Sequence, residues 1–275
     1  MRKERAFPQP EINQVEELSA KLIDLYHDLA EKNRQLEESE LSRKNMFSNI
    51  THDLRALVSA IRGAAERLCR EEIGAEEHAK LAKIIDSRAS VLEKLINDLY
   101  LSNLIDQPEF SLSLVPLDVA PILEEYLISM EGAGRLSGRE YSLSIPDGCS
   151  ATALIDPQYF IRVLDNLLSN ALRFTETGDA IELGCREISG PEGKVVELFF
   201  SDSGAGVHPD DLPRIFDRAF TAEAARTPGK SGSGLGLTIA KTIVDKHGGD
   251  IRCDSTYGEG TVFTISLPQI EISPR

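Results

Sequence analysis

Three polar motifs follow one another between residues 162 and 241, and each predicts a different local structure. Asn166 and Asn170 lie four residues apart among apolar residues at helical spacing, so both side chains share one helical face. Residues 202–206, Asp-Ser-Gly-Ala-Gly, follow an apolar stretch that is typical of a strand. Residues 232–237, Gly-Ser-Gly-Leu-Gly-Leu, lead into an amphipathic helix. Glycines at a helix start let unpaired backbone N–H groups converge on phosphate oxygens, which predicts an anion site on an α/β fold.

A helical region precedes these motifs. Apolar residues at heptad spacing predict one helix from about Ser42 to Arg70 and a second from about Glu76 to Leu104, with a break at residues 71–75. Two amphipathic helices joined by a short loop make an antiparallel hairpin, and such a hairpin cannot cover its own apolar seam. We therefore infer a homodimer in which two hairpins form a four-helix bundle.

Another heptad pattern runs from Val15 to Leu36, ahead of the hairpin. Its spacing favours a parallel coiled coil whose apolar seam weakens after Leu29. Two interpretations of this segment stay open: a helix that transmits a signal into the hairpin, or a plain dimerisation spacer.

His52 lies on the first hairpin helix, away from the apolar seam. At about 100° per residue it points some 200° from Ile50 and from Leu54, so we expect it to face water. An exposed imidazole has a free nitrogen that can act as a nucleophile near neutral pH. Asp53 can accept the proton of the other ring nitrogen, and Arg55 can assist a phosphoryl group. The remaining histidines lack this context and are predicted to be surface or structural residues: His27, His78, His208 and His247.

Residues 48–55, Ser-Asn-Ile-Thr-His-Asp-Leu-Arg, resemble the phosphoacceptor box of two-component sensor histidine kinases. The three downstream motifs resemble the nucleotide site of the Bergerat ATP-binding fold, an α/β sandwich that gyrase, Hsp90 and histidine kinases share. The resemblance extends over about residues 40–268. It implies an ATP- and Mg²⁺-dependent protein-histidine kinase that autophosphorylates His52 and passes the phosphoryl group to an aspartate of a separate response regulator.

The resemblance also implies roles for residues in the nucleotide motifs. Mg²⁺ takes oxygen ligands and keeps several waters. Asn170 is expected to hold Mg²⁺, and Asn166 to position a magnesium-bound water or a phosphate. Arg173 is expected to contact phosphate and Phe174 to lie against the nucleotide. The carboxylate of Asp202, at a strand end, can accept a hydrogen bond from the exocyclic N–H of adenine, which favours ATP over GTP.

Glycines complete the predicted nucleotide site. Gly204 and Gly206 leave room for the base to approach the backbone. The resemblance places phosphate contacts at the start of the last helix, at Gly232, Ser233, Gly234, Leu235 and Gly236.

The segment from Ile215 to Ser231 resembles the mobile ATP lid of the family. Phe216 and Phe220 are expected to anchor it. Arg218 has two interpretations, a contact to the γ-phosphate or a plain surface arginine.

The phosphoacceptor box departs from the family pattern at two positions. Ala56 stands where Thr or Asn is usual, and a methyl group cannot align the water that dephosphorylates a partner regulator. Leu57 stands where a proline commonly bends the helix, so we expect a reduced bend. These departures predict weak phosphatase activity. They also allow a rival interpretation, a non-catalytic ATP-sensing scaffold that regulates another kinase. A second rival is an ATPase or serine kinase on the same nucleotide fold, which would not need an exposed His-Asp pair.

Composition restricts the partners of the chain. The net charge of −15 argues against nucleic acid, because phosphate binding needs a basic face. The four cysteines are scattered without metal-type spacing and are predicted to be reduced. No apolar run is long enough to span a bilayer. We expect a cytoplasmic chain, either a soluble kinase or the cytoplasmic part of a membrane sensor whose sensing region lies outside this sequence.

These patterns predict four regions. Residues 1–40 form an N-terminal coiled coil or signalling helix, and residues 41–107 form the dimerisation and histidine phosphotransfer domain. Residues 108–270 form the catalytic ATP-binding domain, with a linker around residues 114–118, and residues 271–275 form a tail.

Overall fold

The computed structural model describes residues 9–69, 74–147, 149, 151–190, 193–218, 220–221 and 234–270, with the side chains of residues 9–16, 42 and 190 left out. The helices are α1 (Gln9–Leu68), α2 (Ala75–Ile105), α3 (Val119–Gly132), α4 (Pro157–Phe174) and α5 (Gly236–Lys246). The strands are β1 (Val115–Asp118), β2 (Glu140–Ser144), β3 (Thr152–Ile155), β4 (Ala180–Gly190), β5 (Gly193–Asp202), β6 (Asp250–Thr256) and β7 (Gly260–Pro268). The predicted order, helices first and an α/β domain second, is confirmed.

Helix α1 is continuous over 60 residues, whereas the sequence predicted a coiled coil and then a separate helix from about Ser42. The residues between the two patterns are strong helix formers, and they make ion pairs at helical spacing, such as Arg34 with Glu31 and Glu38. No glycine or proline interrupts this stretch, so the helix continues through it.

The chain divides into two compact units, residues 1–49 and 50–275. In the first unit the heptad leucines Leu18, Leu22, Leu25, Leu29 and Leu36 are all exposed. A row of leucine side chains that is exposed to solvent along a single helix is typical of a coiled-coil seam.

The second unit begins with the hairpin helices. Ala64 of α1 and Leu81 and Leu95 of α2 are buried, and Arg67 forms an ion pair with Glu77 of the other helix at 2.5 Å. Helix α2 also packs against α5, and Lys94 Nζ donates a hydrogen bond to Ser169 Oγ of α4 at 2.8 Å. Within this unit, α2 therefore connects the hairpin to the α/β domain. No helix in the described ranges is long and apolar enough to cross a membrane.

The predicted linker around residues 114–118 is in part a strand. β1 pairs antiparallel with β3, with Pro116 opposite Leu154, and forms a two-stranded sheet. Proline cannot donate to a ladder and is tolerated where one side of a strand is unpaired. The linker was predicted because proline usually marks the absence of a strand, and here Pro116 lies in a short edge strand.

Five strands form the main sheet in the order β2-β4-β5-β7-β6. β2 runs parallel to β4, and the other neighbouring pairs are antiparallel. Alternate residues of β4, β5 and β7 are buried, and the apolar core they form with α3 and α4 includes Leu123, Leu164, Leu167, Leu183, Leu198 and Phe263. One buried sheet face covered by helices is a two-layer α/β sandwich.

The start of α4 is held by an N-cap and a buried histidine. The Asp156 carboxylate accepts hydrogen bonds from the N–H groups of Gln158 and Tyr159, and Pro157 occupies the first turn. The Asp156 N–H in turn donates to His247 Nε2 at 3.0 Å, while His247 Nδ1 lies 2.7 Å from the Ile243 carbonyl oxygen. These contacts require a neutral imidazole that carries its proton on Nδ1. His247 is therefore structural, and exposed His27, His78 and His208 are the surface histidines.

We expect the His247 contact to make stability depend on pH. Burial lowers the pKa of His247, against smaller opposing contributions from its hydrogen bonds and from the Asp156 charge. Its contribution to the unfolding free energy is therefore fully present above the unfolded pKa of about 6.5 and is lost as the pH falls through the folded pKa. His247→Gln retains an amide donor and a carbonyl acceptor but does not titrate. Urea unfolding between pH 7 and pH 5 should show a steeper loss for the parent chain, and equal slopes would contradict this role.

Candidate functional site

The His52 side chain lies on the solvent-exposed face of α1. Its side chain is 82% exposed, and its Nδ1 lies 3.5 Å from Asp53 Oδ1. The expected orientation toward water is confirmed for this residue. Since Nδ1 faces a carboxylate, Nε2 is the nitrogen that points to solvent. Asp53 is only 26% exposed, so the acid beside the imidazole is more shielded than the imidazole itself.

Arg173, in the last turn of α4, lies close enough to Asp53 to interact with its charge. Burial lowers the pKa of Arg173, and the negative charge of Asp53 acts in the opposite direction. The guanidinium lies 4.9 Å from the centre of the Phe174 ring, and its buried Nε has no hydrogen-bond partner among the described residues. The charge of Asp53 therefore acts on a cation of the predicted nucleotide site, and that cation retains hydrogen-bonding capacity.

The asparagine pair of α4 lies at the boundary between core and solvent. Asn166 is buried and Asn170 is half-buried, while Val163 and Leu167 on the neighbouring face are in the core. The Asn166 amide oxygen also faces the start of α5, where a Cβ added at Gly236 would lie 3.2 Å from it. Gly236, at the start of α5, therefore lies close to the amide of Asn166.

Asp202 ends β5 in a buried position. Its carboxylate accepts a hydrogen bond from the Gly204 N–H at 3.0 Å. Burial raises the pKa of Asp202 to about 6, against the lowering effect of that hydrogen bond. At pH 7 the ionised form predominates. The side chain is thus a buried hydrogen-bond acceptor, as recognition of an exocyclic amine requires.

The glycines after Asp202 are required by the protein's own packing. A Cβ at Gly204 would lie 2.4 Å from the Phe174 carbonyl oxygen, and one at Gly206 would lie 2.2 Å from that of Thr256. Gly206 also has a φ of +66°. Both glycines allow the turn to pack closely against α4 and the β6–β7 hairpin. The approach of the base to this backbone stays a prediction.

The predicted phosphate contacts lie at the start of α5. Gly234 has a φ of +67°, and Leu235 is fully buried. The start of a helix favours negative charge. Gly232 and Ser233, the other two residues predicted here, lie outside the described residues, as do lid residues 222–231.

Phe216, near the start of the segment predicted as the lid, contacts two other elements. The Phe216 ring contacts Phe263 edge-to-face with 6.3 Å between centroids, and Lys241 Nζ lies 5.7 Å from the Phe216 ring centre. Phe220 lies beneath the Arg214 guanidinium at 4.7 Å, a contact between near neighbours in sequence. The Phe216 contacts attach the start of the predicted lid segment to β7 and α5, and the anchoring role of Phe220 stays a prediction.

Arg218 forms an ion pair with Asp106, at the C-terminal end of α2, with 2.5 Å between Nη2 and Oδ1. Neither sequence interpretation of Arg218, the γ-phosphate contact or the plain surface arginine, included this partner. The contact joins the lid base to the end of the hairpin.

Two positioning residues were missed by the sequence analysis. Arg139 donates to Thr175 Oγ1 and to the carbonyl oxygens of Leu172 and Thr175, which satisfies the C-terminal end of α4. The Thr238 hydroxyl is within 3.1 Å of the Phe216 and Asp217 carbonyl oxygens and holds the lid base on α5. Both act on backbone groups far away in sequence, so no local pattern predicts them.

Family comparisons agree with this geometry. Residues 42–107 match the His Kinase A (phospho-acceptor) domain, and residues 155–271 match the family described as histidine kinase-, DNA gyrase B- and HSP90-like ATPase. The chain belongs to the two-component sensor histidine kinases. Sensor protein SrrB of Staphylococcus aureus is 32% identical over 232 residues, which cover 83% of this chain and 38% of that relative. This kinase chain therefore spans well under half of that protein.

Solved kinase structures share the fold. The histidine kinase ThkA, in complex with the response regulator protein TrrA, has a TM-score of 0.64 and 21% identity, over 82% of this kinase chain and 61% of that chain. Full-length ShkA in complex with AMPPNP has a TM-score of 0.59 and 23% identity, over 84% and 47% of the two chains.

The turn after Asp202 can be tested with a matched pair of glycines. Gly206 and Gly134 have φ values of +66° and +67°, but only Gly206 has backbone atoms in the space of a Cβ. Gly134→Ala should lower the unfolding free energy by about 1–2 kcal/mol, the cost of a left-handed L-residue. Gly206→Ala should cost more than about 3 kcal/mol, because overlap with Thr256 adds to the same strain. Denaturant unfolding measures both, and equal losses would contradict the tight turn.

Proposed function

We propose that this chain is an ATP- and Mg²⁺-dependent protein-histidine kinase that phosphorylates His52 and passes the phosphoryl group to an aspartate of a separate response regulator. The observation that carries the proposal is the exposed position of His52, whose Nδ1 lies 3.5 Å from Asp53 Oδ1. A solvent-facing Nε2 beside a carboxylate-paired Nδ1 supports a role as nucleophile. The family models matching both domains support the same activity.

The chemistry is an in-line phosphoryl transfer. The exposed Nε2 of His52 attacks the γ-phosphorus of ATP, the bond from that phosphorus to the bridging oxygen breaks, and ADP leaves with the electron pair. Asp53, 3.5 Å from Nδ1, holds the proton of that nitrogen and compensates the positive charge that develops on the ring. Little covalent work is required of the protein, so positioning and charge compensation supply most of the rate.

The same residues support roles in nucleotide binding. Buried Asp202 accepts a hydrogen bond from the adenine amine, and the start of α5, with Gly234, Leu235 and Gly236, receives phosphate oxygens. Arg173 is the cation nearest the transfer, and Phe174 beside it contacts the nucleotide.

Asn170, with Asn166 one turn earlier, supplies amide oxygen for Mg²⁺. Mg²⁺ when bound neutralises charge on the phosphates. An amide ligand suits an ion that depends mainly on phosphate and water, and no cluster of three or more His, Cys, Asp or Glu side chains in the described residues offers a competing metal cage.

A second copy of the chain is the proposed structural partner. On the hairpin, Val58, Val91, Ile96 and Tyr100 are 44–68% exposed in the single chain. Pairing two hairpins into a four-helix bundle removes such apolar area from water. The matching phosphoacceptor domain supports this assembly, and the ThkA–TrrA complex supports a response regulator as the second partner.

Labelling with γ-labelled ATP tests the kinase. We expect acid-labile, alkali-stable label on the parent chain, and none on His52→Ala, which should still bind nucleotide in calorimetry. Asn170→Ala should lose both label and magnesium-dependent nucleotide binding, because phosphate charge loses a metal ligand. His78→Ala, another exposed helical histidine, is the matched control and should label normally. Full labelling of His52→Ala would contradict the assignment of the phosphoacceptor, and unchanged affinity of Asn170→Ala would contradict the metal site.

Phosphatase activity is proposed to be weak because of Ala56. This residue is exposed one helical turn after His52, where a hydroxyl or amide could hold the attacking water. Loss of one positioning group typically costs about 10²-fold or more in rate. Decay of a purified phosphorylated regulator with ADP present should be little faster with the kinase than without it, and Ala56→Thr should accelerate it. Rapid decay with the parent chain would show that another residue positions the water.

A further inference from the structure

The backbone of Arg218 is held beside the first turn of α5. The Thr238 hydroxyl, in that turn, lies 3.0 Å from the Phe216 carbonyl oxygen and 3.1 Å from that of Asp217. Because Asp217 is bonded directly to Arg218, the arginine backbone begins next to the helix start that is proposed to receive phosphate. An arginine side chain is long and has several rotatable bonds. From this position its guanidinium can turn either toward the hairpin or toward the start of α5.

Asp106, the partner of Arg218, is also held against the α/β domain. It is the C-cap of α2, and α2 packs against α5. Four residues later the Phe110 ring meets the Tyr159 ring edge-to-face with 5.2 Å between centroids, and Lys246 Nζ lies 5.3 Å from the Phe110 ring centre. The Asp106 carboxylate is therefore presented to the guanidinium by a segment that is attached on both sides.

We propose that Asp106 restrains nucleotide binding by competing with the phosphates of ATP for Arg218. The inference rests on the nucleotide site proposed above. While the ion pair is closed, with 2.5 Å between Nη2 and Oδ1, the guanidinium is occupied by a carboxylate. When phosphates occupy the start of α5, the pair opens and the guanidinium turns to a phosphate, which it can bind through two parallel hydrogen bonds. Nucleotide binding thereby releases the end of the hairpin from the base of the lid.

The exposure of the pair suits a reversible contact. The Arg218 and Asp106 side chains are 38% and 36% exposed. Breaking an ion pair this exposed typically changes an equilibrium constant by about 1.5–5-fold. A terminal phosphate carries up to about two negative charges, whereas a carboxylate carries one, so phosphate is the stronger partner. By reciprocity, the factor by which the closed pair weakens nucleotide binding is the factor by which nucleotide opens the pair.

Isothermal calorimetry in magnesium tests the competition, with AMPPNP measured directly and AMP, which lacks the outer phosphates, measured by displacement. Asp106→Asn removes the charge and keeps a residue that helix ends accept. It should bind AMPPNP about 2–5-fold more tightly than the parent chain and AMP equally well. Asp106→Glu keeps the charge and should bind as the parent does. Asp250→Asn breaks the exposed pair with Arg252 on β6 and is the matched control, which should change neither affinity.

Arg218→Gln separates this competition from a general effect of charge. It should weaken AMPPNP binding, and Asp106→Asn added to it should bring no further change. Unchanged AMPPNP affinity in Asp106→Asn or in Arg218→Gln would overturn the inference. A gain that persists in the double variant, or an equal gain for AMP, would overturn it as well. A parent chain that binds neither nucleotide would remove the nucleotide site and the inference together, whereas binding without the Asp106 effect removes the inference alone.

Discussion

Helix α4 contributes one face to the hydrophobic core and another to the polar site. The position of the polar site therefore depends on how this helix packs. Its core face packs Phe160, Val163, Leu164, Leu167 and Leu168 against the sheet with almost no exposure. Burial of this many large apolar side chains fixes the rotation of the helix about its axis, because interiors are close-packed. The orientation of the asparagine pair on the adjacent face is a direct consequence.

Both ends of α4 are held by residues from other parts of the chain. At the start, the N-cap Asp156 is anchored by buried His247 at the end of α5. At the other end, Arg139 donates to three oxygens near Thr175, and the Phe174 carbonyl accepts the Ala205 N–H from the glycine turn. The helix, the strand-end carboxylate and the start of α5 therefore form one rigid frame. Catalysis by positioning needs such a frame, since small displacements of reacting groups reduce rates severely.

The hairpin contacts α4 and the base of the predicted lid through charged groups. The charge of Asp53 acts on Arg173 of α4, and Lys94 of α2 donates a hydrogen bond to Ser169 of α4. Arg218 of the lid base pairs with Asp106 at the end of α2. Polar contacts of exposed or half-exposed residues contribute little stability each. A hairpin attached in this way can be repositioned at small cost. The kinase function proposed above requires such freedom, because His52 would meet first ATP and then a regulator. The turn at Gly206, by contrast, is tightly packed against Thr256 and tolerates little change in position.

The sequence by itself determined the order of elements, with a helical hairpin ahead of an α/β domain, and the water-facing position of His52. Those features depend on local periodicity, which neighbouring residues encode. It did not show that α1 is continuous, because a weakened heptad was mistaken for an interruption, nor that Pro116 lies in a strand.

Only the tertiary structure decided which distant residues meet. It placed Arg139 at the end of α4, Asp106 on Arg218 and Lys94 at Ser169. It also showed that Gly204 is required by the approach of Phe174. These contacts join positions tens of residues apart, and no local pattern encodes them. They depend on how the buried faces of the helices and the sheet pack, which is settled only when the whole domain excludes water.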